Sequence, residues 1–244
     1  MSNVIESVAP NVVRINVTVR GIEGNGSGIV VSEDGVVFTC EHVVKPNGLE
    51  PNSLNITDRD GRYYTDISPV ELDRTHDVAV LKVDGLKGKC MFGSYDEVKV
   101  GDECFILGFP ISLPHLTVVK GLVSAKGTHL VKELPFKVIQ IEGRVNRGNS
   151  GGPIIDANSG RIIGIVTMKY IPFMSSIDEL QKFVNELPSA PRGLVIAGID
   201  FGAFFNYVGE GFKRVTEALM LVQVGLAWVL PIELFLKYLK EYKE

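Results

Sequence analysis

Hydrophobic positions in the first two thirds of the chain come in short β-branched runs broken by turn residues. Residues 12–19, 28–32, 36–39, 63–70, 78–83, 104–108, 117–124, 138–142 and 161–168 are the clearest, and such runs predict strands. Helical windows are scarce in this region, which excludes a doubly wound α/β fold and predicts an all-β sandwich or barrel. Asp34-Gly35, Asp60-Gly61 and Asn158-Ser159-Gly160 fall between runs, where a tight hairpin needs a positive φ.

From about Pro172 the periodicity changes. Ser176 with Glu179 forms a capping box, and Ile177, Leu180, Phe183, Val184 and Leu187 share one helical face until Pro188 stops it. Phe212, Val215, Leu219 and Val222 repeat the helical period, so a second helix is predicted over about 209–222. A strand over 223–230 follows, then a C-terminal surface helix over about 231–244 with Pro231 near its start.

Charge and composition narrow the partners. Twenty-five Lys+Arg against 29 Asp+Glu leave a net charge of −4, with 45% hydrophobic residues, which is ordinary for a globular protein. No block of basic residues rewards counterion release, so nucleic acid is not an expected partner. The uncharged stretch over residues 218–232 is shorter than the roughly 20 apolar residues of a membrane-spanning helix. Cys40, Cys90 and Cys104 are odd in number and lack CxxC spacing, so neither a disulfide framework nor a zinc site is expected and a reducing compartment is favoured. The first residues lack the charged and continuous apolar regions of a secretory signal, and together these features predict a cytoplasmic protein. No cofactor and no metal are expected.

The sharpest chemical feature is Gly148-Asn149-Ser150-Gly151-Gly152-Pro153, where a hydroxyl between glycines can stand beside converging backbone N–H groups. The same letters fit G-x-S-x-G, but that elbow requires a histidine after the serine. All four histidines, His42, His76, His115 and His129, precede Ser150, which leaves the chain order His, Asp, Ser. His42 closes the run 36–44, where a strand would present an imidazole at its end. Asp77 opens the run 78–81, and burying its carboxylate there costs several kcal/mol unless strong hydrogen bonds satisfy it. If His76 shares a strand with Asp77 it points to the opposite face; it reads as a surface residue or a support behind the site. His115 and His129 read as loop residues.

Residues 26–35, Thr39-Cys40-Glu41-His42-Val43, 77–82, Gly101-Asp102-Glu103, Gly108-Phe109-Pro110, Gly121-Leu122-Val123-Ser124 and 148–153 resemble, in order and spacing, the trypsin-like serine proteases of the HtrA/Deg type. The resemblance covers about residues 8–168 and resumes near Gly225. It implies two six-stranded antiparallel β-barrels, the first over 1–96 with His42 and Asp77, the second over 97–244 with Ser150. A helical insertion over about 169–222 interrupts the second barrel, a C-terminal helix over about 231–244 ends it, and no PDZ-like region follows. It also implies hydrolysis of polypeptides by a serine endopeptidase. His42 would be the general base, Asp77 its orienting carboxylate and Ser150 the nucleophile, with the N–H groups of Gly148 and Ser150 as the oxyanion hole.

The resemblance further places Arg144 at the floor of the S1 pocket, favouring an acidic P1 residue. Ile165, Val166 and Thr167 would form the pocket wall and the strand on which substrate backbone pairs. Asn149 stands where digestive relatives carry an aspartate, so no ion pair with a freshly cut N-terminus is needed. Arg147 stands where the HtrA/Deg type usually has proline, which suggests a bistable oxyanion hole. Phe201, Phe204, Phe205 and Tyr207 concentrate aromatic surface in the insertion, suggesting a homo-oligomer interface or a substrate gate. Two alternatives stand beside the endopeptidase: a catalytically silent trypsin-like fold acting as a protein-binding or chaperone-like module, and an esterase using the same three residues.

Overall fold

Apolar runs joined by tight turns bury their backbone polar groups most directly by pairing antiparallel with a neighbour in sequence, and this chain does so almost throughout. The computed structural model describes residues 2–110, 113–131, 134–167, 179–180, 182–184, 195–196, 198–220 and 224–243. Contacts divide the chain into a large unit, Met1–Lys169 with Gln223–Glu244, and a small one, Tyr170–Val222.

The large unit opens with a short helix, α1 (Ser2–Val8), which the β-rich pattern did not announce. Seven strands follow: β1 (Val12–Val19), β2 (Ile22–Val30), β3 (Val36–Thr39), β4 (Ser53–Thr57), β5 (Tyr63–Tyr64), β6 (Ile67–Asp73) and β7 (Val78–Val83), with the one-turn helix α2 (Glu41–Val44) between β3 and β4. They form a curled sheet in the order β5-β4-β1-β2-β3-β7-β6, so the first half closes less completely than a six-stranded barrel. Its core is aliphatic: Val13, Ile15, Ile29, Val37, Phe38, Ile56, Val80 and Leu81 are all fully buried, each contributing about 1.5–3 kcal/mol of transfer free energy.

The second half contains β8 (Glu103–Gly108), β9 (Thr117–Val131), β10 (Leu134–Val145), β11 (Pro153–Asp156) and β12 (Ile162–Thr167). The hairpin strands β13 (Val195–Ile196) and β14 (Ile199–Asp200) belong to the small unit, and β15 (Val224–Pro231) returns to the large one. With β15 inserted between β10 and β12, six antiparallel strands close a barrel in the order β10-β15-β12-β11-β8-β9. The trypsin-like all-β architecture expected from the sequence is thus present, with one closed barrel and one curled half-barrel.

In the small unit, helix α3 (Phe201–Met220) is capped by Asp200, whose Oδ1 accepts the N–H of Ala203 at 2.9 Å. This cap starts the helix well before the predicted 209, so Phe201, Phe204, Phe205 and Tyr207 are helical. Residues 179–180 and 182–184 are helical, whereas Ser176, Ile177 and Leu187 lie outside the described residues. Helix α4 (Glu233–Lys243) ends the chain and seats Phe235 against Phe38 at 5.3 Å between ring centroids. Its first-turn Glu233 accepts from the Tyr95 N–H at 2.7 Å and the Ser94 hydroxyl at 3.0 Å, tying the helix to the link between the two halves. Among the described residues no helix is long and apolar enough to cross a membrane.

Candidate active site

Strand β3 ends at Thr39, and His42 sits not on the strand but one residue into α2. The strand expected over 36–44 stops early because Cys40 acts as the N-cap, in extended conformation. The imidazole is therefore presented by a helical turn, its side chain 29% exposed and facing an Asp77 carboxylate with no exposure at all. His42 Nδ1 lies 2.8 Å from Asp77 Oδ2 and 3.0 Å from Oδ1. The His42 backbone N–H also donates to Asp77 Oδ1 at 3.0 Å, and the Thr167 hydroxyl donates to Oδ2 at 2.6 Å. A carboxylate removed from water is tolerable only when its lone pairs are filled in this way.

Asp77 precedes β7 and adopts φ 61, one of three non-glycine residues among those described with positive φ. That conformation costs on the order of 1–2 kcal/mol, so it persists because its surroundings fix it. Its own carbonyl accepts the Glu41 N–H at 3.2 Å. His76, one residue earlier, lies in the turn rather than on a strand, and its Nδ1 contacts Asp73 Oδ2 at 2.6 Å. His129, expected in a loop, is on β9 and packs against Trp228 at 4.9 Å.

Ser150 belongs to a loop built on glycine conformations. Gly148 and Gly151 have φ of 95 and 86, and a Cβ on Gly151 would overlap the Ser27 carbonyl oxygen and the Thr39 hydroxyl. Ser27, fully buried on β2, is the anchor: its hydroxyl donates to the Gly148 carbonyl at 2.7 Å while accepting the Phe109 N–H at 2.8 Å, and its N–H donates to the Ser150 carbonyl at 2.8 Å. Thr39 completes the support by donating to the Ser27 carbonyl at 2.7 Å. Among the described residues, the N–H groups of Gly148 and Ser150 donate to no backbone acceptor and the Ser150 hydroxyl has no hydrogen-bond partner.

The Val166 carbonyl joins the two halves. It accepts from the Gly151 N–H at 2.9 Å, one residue after Ser150, and from Cys40 Sγ at 3.2 Å, two residues before His42. The next residue, Thr167, holds Asp77. Imidazole and carboxylate are thus in direct contact, and the Ser150 loop is tied through Gly151 to the same Val166 carbonyl; among the described residues no hydrogen bond joins the Ser150 hydroxyl to His42.

The substrate-binding expectations fare differently. Ile165, Val166 and Thr167 are fully buried. Ile165 pairs with Pro153 on one side and Leu230 on the other, and Val166 is bonded to the 151–152 turn and to Val229's strand. A substrate strand cannot pair at Ile165 or Val166 because both edges are filled, and Thr167 is a carboxylate ligand rather than a pocket wall. Arg144 lies in the β10 segment where register shifts between Glu142 and Val145. It is exposed and makes no ion pair among the described residues. Asn149 is buried.

Cys40 Sγ, a His42 ring nitrogen and an Asp77 oxygen lie within 4.8 Å of one another. Burial, with the Asp77 charge beside it, pushes the Cys40 thiol well above its usual range, so it stays protonated at neutral pH. A separate cavity of about 1100 Å³ opens over β1 and β4, lined by Arg14, Asn16, Asn55 and Thr57; His42, Asp77 and Ser150 do not line it.

Ser27, Thr39 and the Asp77-binding role of Thr167 were missed by sequence reasoning. For Thr39 and Thr167 the signal is a hydroxyl residue closing an otherwise apolar strand, which in a buried position has to find a partner; Ser27 lies in the glycine-rich part of β2 and carries no such signal.

Several known proteins are similar to this chain. The probable periplasmic serine endoprotease DegP-like of Chlamydia trachomatis serovar D is 39% identical over 144 residues, 58% of this chain and 28% of that protein. Serine protease HTRA1 of Xenopus laevis is 32% identical over 203 residues, 76% of this chain and 42% of that protein. The HtrA-type protease AlgW with tripeptide superposes with a TM-score of 0.66 at 25% identity, covering 98% of this chain and 62% of that one. The chain spans less than half the length of these two curated relatives.

The expected cytoplasmic location is overturned by this comparison, since the bacterial relative is named as a periplasmic protease. The cysteine count misled because it ignored burial: Cys40 and Cys104 are buried, Cys90 half-buried, and burial pushes Cys90 and Cys104 to about 12. Such thiols resist oxidation whatever the compartment. Residues 26–165, more than half of the chain, match the trypsin-like peptidase domain, and the chain belongs to the trypsin-like peptidase family.

Proposed function

We propose that the chain is a serine endopeptidase acting through His42, Asp77 and Ser150. The observation that carries this reading is the Asp77 carboxylate, wholly buried yet held at 2.8 Å from His42 Nδ1. Because Nδ1–H faces the carboxylate, the lone pair is left on Nε2, the tautomer a general base requires. His42 takes the Ser150 proton as the hydroxyl attacks the scissile carbonyl, and Asp77 stabilises the imidazolium that forms. The developing oxyanion is received by the N–H groups of Gly148 and Ser150, each worth about 2.7–4 kcal/mol of barrier. His42 then protonates the leaving amine, and water repeats the sequence on the acyl-enzyme.

A silent binding module has no use for an ionisable group buried behind an imidazole, and nothing in the site favours that alternative. Casein turnover that is lost in Ser150→Ala supports the reading; equal turnover by both proteins rejects it.

Two finer readings follow. Arg144, exposed and without an ionic partner among the described residues, would select Asp or Glu at P1. Cleavage of a peptide library should show that enrichment, and Arg144→Ala should abolish it; no acidic preference in the unaltered protein sinks the idea. Phe204, Phe205, Tyr207 and Phe212 are each more than half exposed on α3, apolar surface suited to self-association. Sedimentation should show an oligomer that Phe204→Glu dissociates; a monomer at all concentrations refutes it.

A further inference from the structure

A second histidine–carboxylate pair lies in the same hairpin as Asp77. Asp73, the last residue of β6, pairs with Val78 at the start of β7, so residues 74–77 are the connecting loop. Asp73 Oδ1 accepts the N–H groups of Thr75 at 2.9 Å and His76 at 3.0 Å, closing an Asx-type turn. Its Oδ2 accepts His76 Nδ1–H at 2.6 Å and the Tyr238 hydroxyl of α4 at 2.8 Å. The His76 ring meets Phe136 of β10 edge-on, 5.6 Å between centroids at 85°. The curled sheet, the closed barrel and the C-terminal helix therefore converge on one imidazole, next in sequence to Asp77.

The Asx turn alone requires only backbone N–H groups at 75 and 76. The imidazole adds what a bare turn lacks, a side-chain bond to Asp73 and an edge-on ring contact with the closed barrel. We infer that His76, braced by Asp73, Tyr238 and Phe136, is a positioning residue for the hydrolytic site: it holds the loop that delivers Asp77 at positive φ, and through Asp77 it sets the orientation of His42. Glu41, His42 and Thr167 grip Asp77 from one side, and the His76 brace grips its loop from the other. Burial alone would raise the Asp73 carboxyl, but the bonds from His76 and Tyr238 outweigh it and hold it below the usual range, so the carboxylate stays ionised and the brace stays closed at neutral pH.

The inference rests on the endopeptidase reading, and two measurements on the full chain keep them apart: turnover of a peptide substrate, and the proton resonance of His42 Nδ1–H, which a strong bond to a carboxylate moves downfield. His76→Ala should lower kcat about 10- to 100-fold with KM within about twofold, and should shift or broaden the resonance. His76→Asn, which keeps a donor near the Nδ1 position, should restore most of the rate, and Tyr238→Phe should give a smaller loss in the same direction. Should His76→Ala fail to fold, Tyr238→Phe decides. Unchanged kcat and resonance in these variants, even with a lowered melting temperature, would reduce the brace to packing and overturn the inference. An unaltered protein that turns over nothing would reject the endopeptidase reading instead, while the resonance still reports whether His76 orients His42.

Discussion

Asp77 shows how much a single buried carboxylate demands of its neighbours. The Thr167 hydroxyl, the His42 N–H and the His42 ring all serve it. Thr167→Val keeps the volume but leaves one lone pair unsatisfied, at a cost of about 1–3 kcal/mol; urea denaturation should record that loss together with a reduced kcat. Asp73 carries a pH consequence. Its folded-state carboxyl lies below the unfolded value, despite a burial effect in the opposite sense, so its contribution to stability is present above the unfolded pKa of about 3.9 and is lost as pH falls below it. Asp73→Asn should therefore be less stable than the unaltered protein at neutral pH, the gap narrowing below about pH 4; a gap constant across that range would contradict the assignment.

Among the elements, strands with β-branched runs were legible because local composition and burial agree. Strand β4, Ser-Leu-Asn-Ile-Thr, was not, since only Ile56 of the five is buried, and β11 was hidden behind the Gly-Gly-Pro that frames Ser150. The second helix was expected only from about 209, whereas the Asp200 cap starts it at Phe201. The roles of His42, Asp77 and Ser150 were suggested by chain order and resemblance; the supports at Ser27 and Thr39 were not, because their partners are 121 and 12 residues away. Gly151 is fixed by this packing: Gly151→Ala clashes with Ser27 and Thr39 at a positive φ, and should cost more than about 2 kcal/mol and abolish turnover. Phe235→Ala, removing the α4 anchor, should cost about 3–5 kcal/mol, read as a lowered denaturation midpoint.

At the scale of the molecule, the three cysteines are isolated and protected rather than reactive. With Cys90 and Cys104 pushed to about 12, thiolate is scarce at neutral pH, and iodoacetamide should label the native chain slowly and the unfolded chain at all three sites. The proposed hydrolytic site takes its histidine and aspartate from the first half and its serine from the second. The most direct measurement is mass spectrometry of the chain after exposure to a fluorophosphonate, with the adduct located by peptide mapping. A single adduct on Ser150, absent from His42→Ala and slowed by Asp77→Asn, is the expected result. No adduct on Ser150, or labelling indifferent to His42, would contradict the assignment of these residues as one hydrolytic site.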